Sequence, residues 1–259
     1  MNRDTKNQIE PNVSVVMPAY NCEAYIEIAI RSVMKQTYKD WELIVIDDGS
    51  TDATRSIISA LAQEDERIKL ICNPENIGVA KTRNRGLELS KGSFVALMDS
   101  DDMWRPEKLE KQLELAKKSG ADVVYCSYGI IDENGEKLCN DFIVPETTDY
   151  ENMLIRSVIS CSTALFSRKA VDKYRFHTDY YHEDLVMWLE MMRDGNRACG
   201  ATEVLADYRV SRGSRASNKF RTVVERWRIY RKHMKEPFFR SVGLIADYAL
   251  LALKKYKRV

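Results

Sequence analysis

A chain of 259 residues, 44% apolar and 31% charged, holds enough material for a sizeable core, as one large domain or two small ones. The polar residues 1–12 predict no signal peptide, and no run of about 18 uncharged apolar residues is available to span a membrane. The net charge of +1 hides an asymmetry: residues 209–259 carry 15 Lys/Arg against three acids and residues 1–208 carry 25 against 36, so an acidic body has a basic tail suited to an anionic partner.

The first hundred residues alternate between strand and helix patterns. Residues 13–17 (VSVVM) are a β-branched run ending in Pro18, Ala19, Tyr20 and Asn21. Apolar positions at helical spacing cover 23–36, and a second buried strand at 42–46 (ELIVI) ends in Asp47, Asp48, Gly49 and Ser50. Asp52 or Ser50 suits the cap of the next helix, which runs to about residue 62. A third strand at 68–72 enters a loop punctuated by Asn73, Pro74, Asn76 and Gly78, and residues 79–89 then read as a helix carrying Lys81, Arg83 and Arg85. The fourth strand, 94–98 (FVALM), stops abruptly at Asp99, Ser100, Asp101 and Asp102. This alternation predicts a doubly wound, mostly parallel α/β sheet.

In such sheets ligands bind beyond the carboxyl ends of the strands. Three polar clusters fall there, at 18–21, 47–50 and 99–102. The three carboxylates at 99–102 repel one another, and Mg2+ or Mn2+ is the natural partner for hard oxygen donors, sharing its shell with substrate phosphates. The same residues also suit a solvated acidic loop capping the helix after Pro106. Asp47 and Asp48 likewise suit an Asx-type turn with Gly49. Neither GxGxxG nor GxxxxGK[ST] occurs, so neither a dinucleotide fold nor a P-loop is supported.

The second half is less regular. An amphipathic helix at 107–118 precedes a strand at 122–128, and DENG at 132–135 reads as a hairpin turn between 128–131 and 137–138. A short helix is expected at 150–155, a strand at 163–166 and a helix at 168–174. Tyr180, Tyr181, His182, Glu183 and Asp184 then lead into a helix at 185–193 with Leu185, Trp188, Leu189 and Met192 on its apolar face. No repeat or low-complexity linker appears, which favours one domain with a C-terminal extension.

Five stretches in order resemble the family 2 glycosyltransferases of GT-A fold: VSVVMPAYN at 13–21, ELIVIDDGSTD at 42–52, NPENIGVAKTRNRG at 73–86, MDSDD at 98–102, and the Glu183–Asp184 pair. The resemblance spans about residues 13–215. The segment YRVSRGSRASNK is similar to that of enzymes building bacterial surface polysaccharides of the teichuronic acid or capsule type. It implies a GT-A catalytic domain at 13–210, with a nucleotide-sugar half at 13–102 and an acceptor half at 103–210, followed by a basic amphipathic helical extension at 211–259. By this resemblance the donor is a nucleotide-diphosphate sugar, most often UDP-linked. Pro18, Tyr20 and Asp48 would hold the base and its ribose, and Arg83 would face the nucleotide. Asp99 and Asp101 match the DxD motif, with Asp101 on an Mn2+ or Mg2+ ion and Asp99 on the ribose or a metal-bound water. Asp184 matches the catalytic base. The acceptor would be a hydroxyl of a growing, lipid-linked cell-surface glycan.

Sugar transfer needs the charge of the leaving diphosphate neutralised and a proton taken from the acceptor hydroxyl. One base with direct displacement predicts inversion through an oxocarbenium-like transition state. On spacing alone Asp184 equally suits a first-turn helix residue favoured by the macrodipole, and Glu183 is its nearest competitor. Arg83 and Arg85 are two apart on one helix, so one reaches the nucleotide while the other is solvated. Arg209, Arg212 and Arg215, among small polar residues, suit a flexible loop that closes on phosphates, or a solvated linker.

In the tail, Phe220, Val223, Val224, Trp227, Tyr230 and Met234 form a stripe amid arginines, and an apolar segment at 238–253 precedes Lys254, Lys255, Lys257 and Arg258. This suits a helix lying on a membrane, or one packed on the catalytic domain or on another subunit of a homo-oligomer. Basic charge confined to the tail, without a DNA- or RNA-binding motif, speaks against nucleic acid. Six scattered cysteines without a CxxC read as reduced thiols of a cytoplasmic protein, placed at the inner face of the plasma membrane. The competing functions are a metal-dependent nucleotidyltransferase, against which PAYNCEAY stands where a Gly- and Arg/Lys-rich loop would be needed, and a catalytically silent nucleotide- or glycan-binding subunit.

Overall fold

The first four strand patterns form a parallel block, covered on both faces in all but the third, which is the sheet edge and half exposed. The computed structural model describes residues 12–210 and 219–256. Strands β1 (Val13–Ala19), β2 (Trp41–Asp47), β3 (Ile68–Cys72) and β4 (Phe94–Leu97) lie parallel in the order β3-β2-β1-β4. Helices α1 (Ile26–Met34), α2 (Thr54–Glu64) and α3 (Val79–Leu89) make the crossovers. Every residue of β1 and β2 is buried, as two-sided cover demands.

Beyond β4 come β5 (Met103–Trp104), α4 (Lys108–Ser119), β6 (Val123–Ile131), β7 (Thr147–Thr148), α5 (Tyr150–Ile155), a 3-10 turn Cys161–Thr163, β8 (Leu165–Ser167) and α6 (Arg168–Val171). Then follow α7 (Glu183–Arg193) and β9 (Ala198–Arg209). The path continues β4-β8-β6-β9-β5, with β7 beside β9. β8 runs antiparallel to β4 and β6, while β9 is parallel to β6. Val15, Met17, Leu43 and Val45 pack toward α1, α2 and α4, and Val16, Ile44 and Ile46 toward α3, α5 and α7. The predicted doubly wound sheet is therefore present, with an antiparallel insertion between its two parallel parts.

Several expectations need correction. The long strand β9 has no counterpart in the sequence reading, because ACGATEVLADYR lacks strict alternation and its pairing with β6 slips around Ser127. The helix at 168–174 is only α6, a single turn. The expected strand at 163–166 begins two residues later, after the 3-10 turn. Helix α7 does not present one apolar face: Leu185 to Leu189, Met191 and Met192 are all buried, because the C-terminal elements cover its outer side. The DENG turn does fold back, with Ile131 bridging Lys137 and Tyr128 bridging Phe142.

Helix α8 (Lys219–Arg228) runs into a π-helical turn, Ile229–His233, and then α9 (Phe238–Tyr256). Ile229, Tyr230, Met234 and Leu244 join the core formed by α5 and α7. Arg226 Nη1 donates to the Leu154 carbonyl at 3.2 Å, and the Tyr150 hydroxyl donates to Glu236 Oε1 at 2.6 Å. One side of the extension thus packs on the body. Among the described residues no helix is long and apolar enough to cross a membrane. All six cysteines are unpaired.

Candidate active site

The loop after β1 and the loop after β2 are laced together by side chains. Asn21 adopts a left-handed backbone (φ 44°), which Asn tolerates better than most residues, and its Oδ1 accepts from Thr51 N at 2.9 Å. Its own N–H donates to Ser50 Oγ at 3.0 Å, and Cys22 N donates to Thr54 Oγ1 at 2.8 Å. Asp52 accepts from Thr54 N at 3.0 Å, so it, not Ser50, satisfies the start of α2. Asp47 makes the expected turn, accepting from Ser50 N at 3.2 Å, and also pairs with Arg55 at 2.7 Å. Gly49 sits at φ 75° with the backbone of Glu75 and Asn76 against its Cα, where a Cβ would come within 2.8 Å.

Asp48 is 3% exposed and knits a third loop to these two. Its Oδ1 accepts from Asn73 Nδ2 at 2.6 Å and Ile77 N at 3.0 Å, and its Oδ2 from Gly78 N at 2.9 Å. Arg85 Nη1 braces the same loop on the Cys72 carbonyl at 3.1 Å and on Asn73 Oδ1. Arg85 is therefore not the solvated arginine expected from the sequence.

Arg83 points the other way. It is buried, with Nη2 on Asp99 Oδ1 at 2.6 Å and Nη1 on Glu183 Oε1 at 2.8 Å. The second of these contacts joins α3 to the first turn of α7. Asp99 and Asp101 face an open cleft, but Asp102 turns inward and is 1% exposed. It accepts from Arg209 N at 2.8 Å and from the Ser162 hydroxyl, which in turn accepts from Asp99 N at 3.0 Å. Burial, with the charges of Asp101 and Asp99, holds the Asp102 carboxyl well above the usual carboxylate range. Burial and the charge of Asp99 likewise push Asp101 up to about 6. Two hard oxygen donors, Asp99 disfavouring the ionisation of Asp101, at the edge of an open cleft, fit a divalent Mg2+ or Mn2+.

These groups share one cleft of about 780 Å3, lined by Pro18, Tyr20, Asp48, Arg83, Asp99, Asp101, Asp184 and Arg209 among others. Tyr20 stands at its mouth, 49% exposed. Asp184 enters from the N-terminus of α7, where the helix dipole favours a carboxylate. Tyr208 also lines the cleft, and burial together with Asp102, Asp99 and Asp101 pushes its phenol up.

Arg209 departs from its expected place in a flexible loop. It is the last residue of β9, 3% exposed, with Nε on the Asp101 carbonyl at 2.7 Å and Nη1 on the carbonyls of Asp132 and Glu133 at 2.8 and 3.1 Å. It braces the acidic loop from behind. Arg212 and Arg215 lie outside the described residues. Ser162 braces the site without a signal in the sequence, where it sits in a CST run, and Asn73, read there as loop punctuation, donates to Asp48.

A parallel sheet whose first two loops and fourth-strand carboxylates open onto one cleft, with a mixed sheet portion beyond the fourth strand, is the GT-A architecture. The chain belongs to glycosyltransferase family 2: the model of the family described as "Glycosyl transferase family 2" matches residues 14–175. It is similar to TuaG of Bacillus subtilis (strain 168), a glycosyltransferase named for teichuronic acid biosynthesis, at 35% identity over 95% of this chain and 98% of that one. It is equally similar, at 35% identity over 94% of each chain, to the Escherichia coli UDP-Glc:alpha-D-GlcNAc-diphosphoundecaprenol beta-1,3-glucosyltransferase WfgD. In fold it matches Staphylococcus aureus TarS residues 1–349 in complex with UDP-GlcNAc, with TM-score 0.72, 20% identity and coverage of 92% of this chain and 71% of that chain. It also matches the Pyrobaculum calidifontis mannosyltransferase PcManGT in complex with GDP-Man and Mn2+, with TM-score 0.70, 22% identity and coverage of 94% and 70%.

Proposed function

We propose that this polysaccharide-building transferase is inverting and metal-dependent, and moves a sugar from a UDP-sugar to a hydroxyl of a lipid-linked glycan. The observation that carries the reading is the shared cleft, where Asp99 and Asp101 stand on one wall and Asp184 on another. A UDP-sugar and a diphosphoundecaprenol-linked acceptor are what WfgD is named for, and TarS binds UDP-GlcNAc. PcManGT binds Mn2+.

In this reading Pro18 and Tyr20 pack on the nucleoside. Asp48 takes three protein donors, and a carboxylate offers about four acceptor sites, which leaves room for a uracil N–H. Asp101 would hold the Mg2+ or Mn2+, with Asp99 beside it on the ribose or a metal-bound water. When bound, the ion neutralises charge on the leaving diphosphate. Arg83 keeps Asp99 oriented, and Arg212 supplies a further phosphate contact. Asp184 takes the proton from the acceptor hydroxyl as it attacks the anomeric carbon from the face opposite the diphosphate. The domain plan is a donor half at 13–102, an acceptor half at 103–210 and an extension at 211–259 that rests on the inner face of the membrane, where the acceptor lipid lies.

The test is a panel of nucleotide sugars with Mn2+ or Mg2+ and a GlcNAc-diphospholipid acceptor, following UDP release and the anomeric configuration of the product by NMR. Turnover of a UDP-sugar with inversion, lost on chelation, is expected. Retention of configuration, or full activity in chelator, would overturn the mechanism.

A further inference from the structure

Two of the three histidines of this chain, His177 and His233, meet on one carboxylate, and none of these groups lines the cleft. His177 Nε2 lies 3.0 and 3.1 Å from the two oxygens of Glu190, and His233 Nε2 lies 2.8 Å from Glu190 Oε1. The three ligand atoms all fall within 4.8 Å of one another. The two imidazole rings approach edge to face with centroids 4.6 Å apart, and the Tyr180 ring closes on His233 at 5.3 Å. Glu190 and His233 are largely shielded, with 16% and 18% of their side chains exposed, while His177 at 37% leaves one open side.

We propose that His177, Glu190 and His233 form a zinc site that fastens the C-terminal extension to the acceptor half. Two imidazoles and a carboxylate are the donor set that suits Zn2+ and disfavours Mg2+, whose preferred ligands are all oxygen. A tetrahedral ion with bonds of about 2.0–2.2 Å sets its ligand atoms about 3.4 Å apart. The two His–Glu spacings, 3.0 and 2.8 Å, need to open by only about half an ångström to reach that, and the two Nε2 atoms lie within 4.8 Å of each other. Each neutral ring offers its Nε2 lone pair once its hydrogen sits on Nδ1, and water fills the fourth position on the open side.

The placement gives the ion a purpose. His177 lies in the segment that delivers Glu183 and Asp184 to the cleft, and Glu190 stands on α7 itself. His233 closes the π-helical turn, whose extra residue per turn is a local departure that recurs at functional sites. Three separate elements are pinned at one point, about two turns along the helix that carries the proposed base.

The experiment uses the full chain carrying Asp101→Ala, so that the cleft carboxylates do not compete, and measures Zn2+ by equilibrium dialysis and thermal unfolding. One equivalent of Zn2+ and a rise in Tm are expected. His177→Ala and His233→Ala should each weaken binding at least ten-fold and abolish the rise, whereas His182→Ala, removing the third histidine, should leave both intact. If the alanine variants fold poorly, Glu190→Gln keeps a hydrogen-bonding group in place and should still lose zinc. Absence of zinc binding in the Asp101→Ala chain, or binding unaffected by His177→Ala, His233→Ala and Glu190→Gln, would overturn the proposal.

Discussion

Asp99 and Glu183 share one guanidinium. Arg83 donates to Asp99 Oδ1 at 2.6 Å and to Glu183 Oε1 at 2.8 Å, so the end of β4 and the start of α7 are clasped through α3. The clasp sets Asp101 and Asp184, each one or two residues further along, into the same cleft. It also supplies much of the positive charge that the acidic loop needs.

Removing that cation leaves the buried Glu183 carboxylate unpaired beside the cleft-facing Asp99, and breaking a buried ion pair on one side costs about 3–5 kcal/mol. Arg83→Met should lose stability of that order in urea unfolding. Arg83→Lys should recover only part, because a point-charge ammonium does not span two carboxylates as a planar fork does. Adding Glu183→Gln to Arg83→Met should restore stability by removing the repulsion. A double variant no more stable than Arg83→Met would show that the three groups do not act as a unit.

The neighbouring carboxylates should separate by role. Glu183 is committed to Arg83, whereas Asp184 lines the cleft and accepts from the adjacent Leu185 N at 2.8 Å. Asp184→Asn should lower kcat by about 100- to 10,000-fold, the range for loss of a general base, with little change in KM for the donor. Glu183→Gln should act mainly on stability. Steady-state kinetics on both variants decides, and a larger kcat loss in Glu183→Gln would move the base to Glu183.

Close packing of α3 on the sheet sets where Arg83 can reach. A Cβ at Gly86 would lie 2.2 Å from Val16 Cγ1 and 2.9 Å from Ile46 Cδ1, in a core without slack. Gly86→Ala should therefore cost about 1–3 kcal/mol by overpacking. Val16→Ala should recover part of that in the double variant despite its own cavity cost. Strict additivity of the two changes in thermal unfolding would mean that the helix does not press on Val16.

What the sequence disclosed follows from how locally each feature is encoded. The parallel strands β1, β2 and β4 declare themselves because two-sided burial yields apolar runs such as VSVV and LIVI, with polar clusters at their ends. Those polar clusters contain Asp48, Asp99 and Asp101, and the family resemblance singles these out together with Arg83 on α3. β9 could not, because its residues are half-buried and its register slips. The inward turn of Asp102 was equally hidden, since it depends on Ser162 and on Arg209, which is 107 residues away. Arg209 looked like part of a polar loop because its carbonyl partners at Asp101, Asp132 and Glu133 come from two other segments.

Lys108 gives a pH dependence of known sign. It is fully buried, with Nζ on Gln112 Oε1 at 2.7 Å and 3.9 Å from the Trp104 ring centroid. Burial lowers its pKa from the ordinary 10.5 to about 8. Below about 8 both folded and unfolded chains carry the proton, and the folded state bears the full cost of the buried charge, roughly 3 kcal/mol. Between about 8 and 10.5 the unfolded chain binds more protons, so this residue's contribution to stability rises with pH and levels off above. Lys108→Met should be more stable than the parent near pH 7 and should lose that advantage by pH 10.5. Urea unfolding of both chains across this range checks it; a difference independent of pH would show that Lys108 is not depressed.

The extension offers a sharper test of membrane contact than truncation, because Ile229, Tyr230, Met234 and Leu244 belong to the core and cutting them away would expose α5 and α7. Helix α9 turns Ser241 and Leu244 inward, with Ile245 and Tyr248 half-buried on the same side. On the opposite side Phe239, Val242, Ala246 and Leu250 follow at spacings of three and four, so they form one exposed apolar stripe. Phe239 is 88% exposed, its ring meeting that of Phe238 edge to face at 5.6 Å. An amphipathic helix presenting such a stripe beside basic residues partitions into the boundary of an anionic bilayer. Phe239→Ser with Val242→Ser should leave the fold intact and sharply reduce flotation with vesicles containing anionic lipid, while the parent floats and does so less at high salt. Equal flotation of parent and double variant would mean that the stripe does not touch the bilayer.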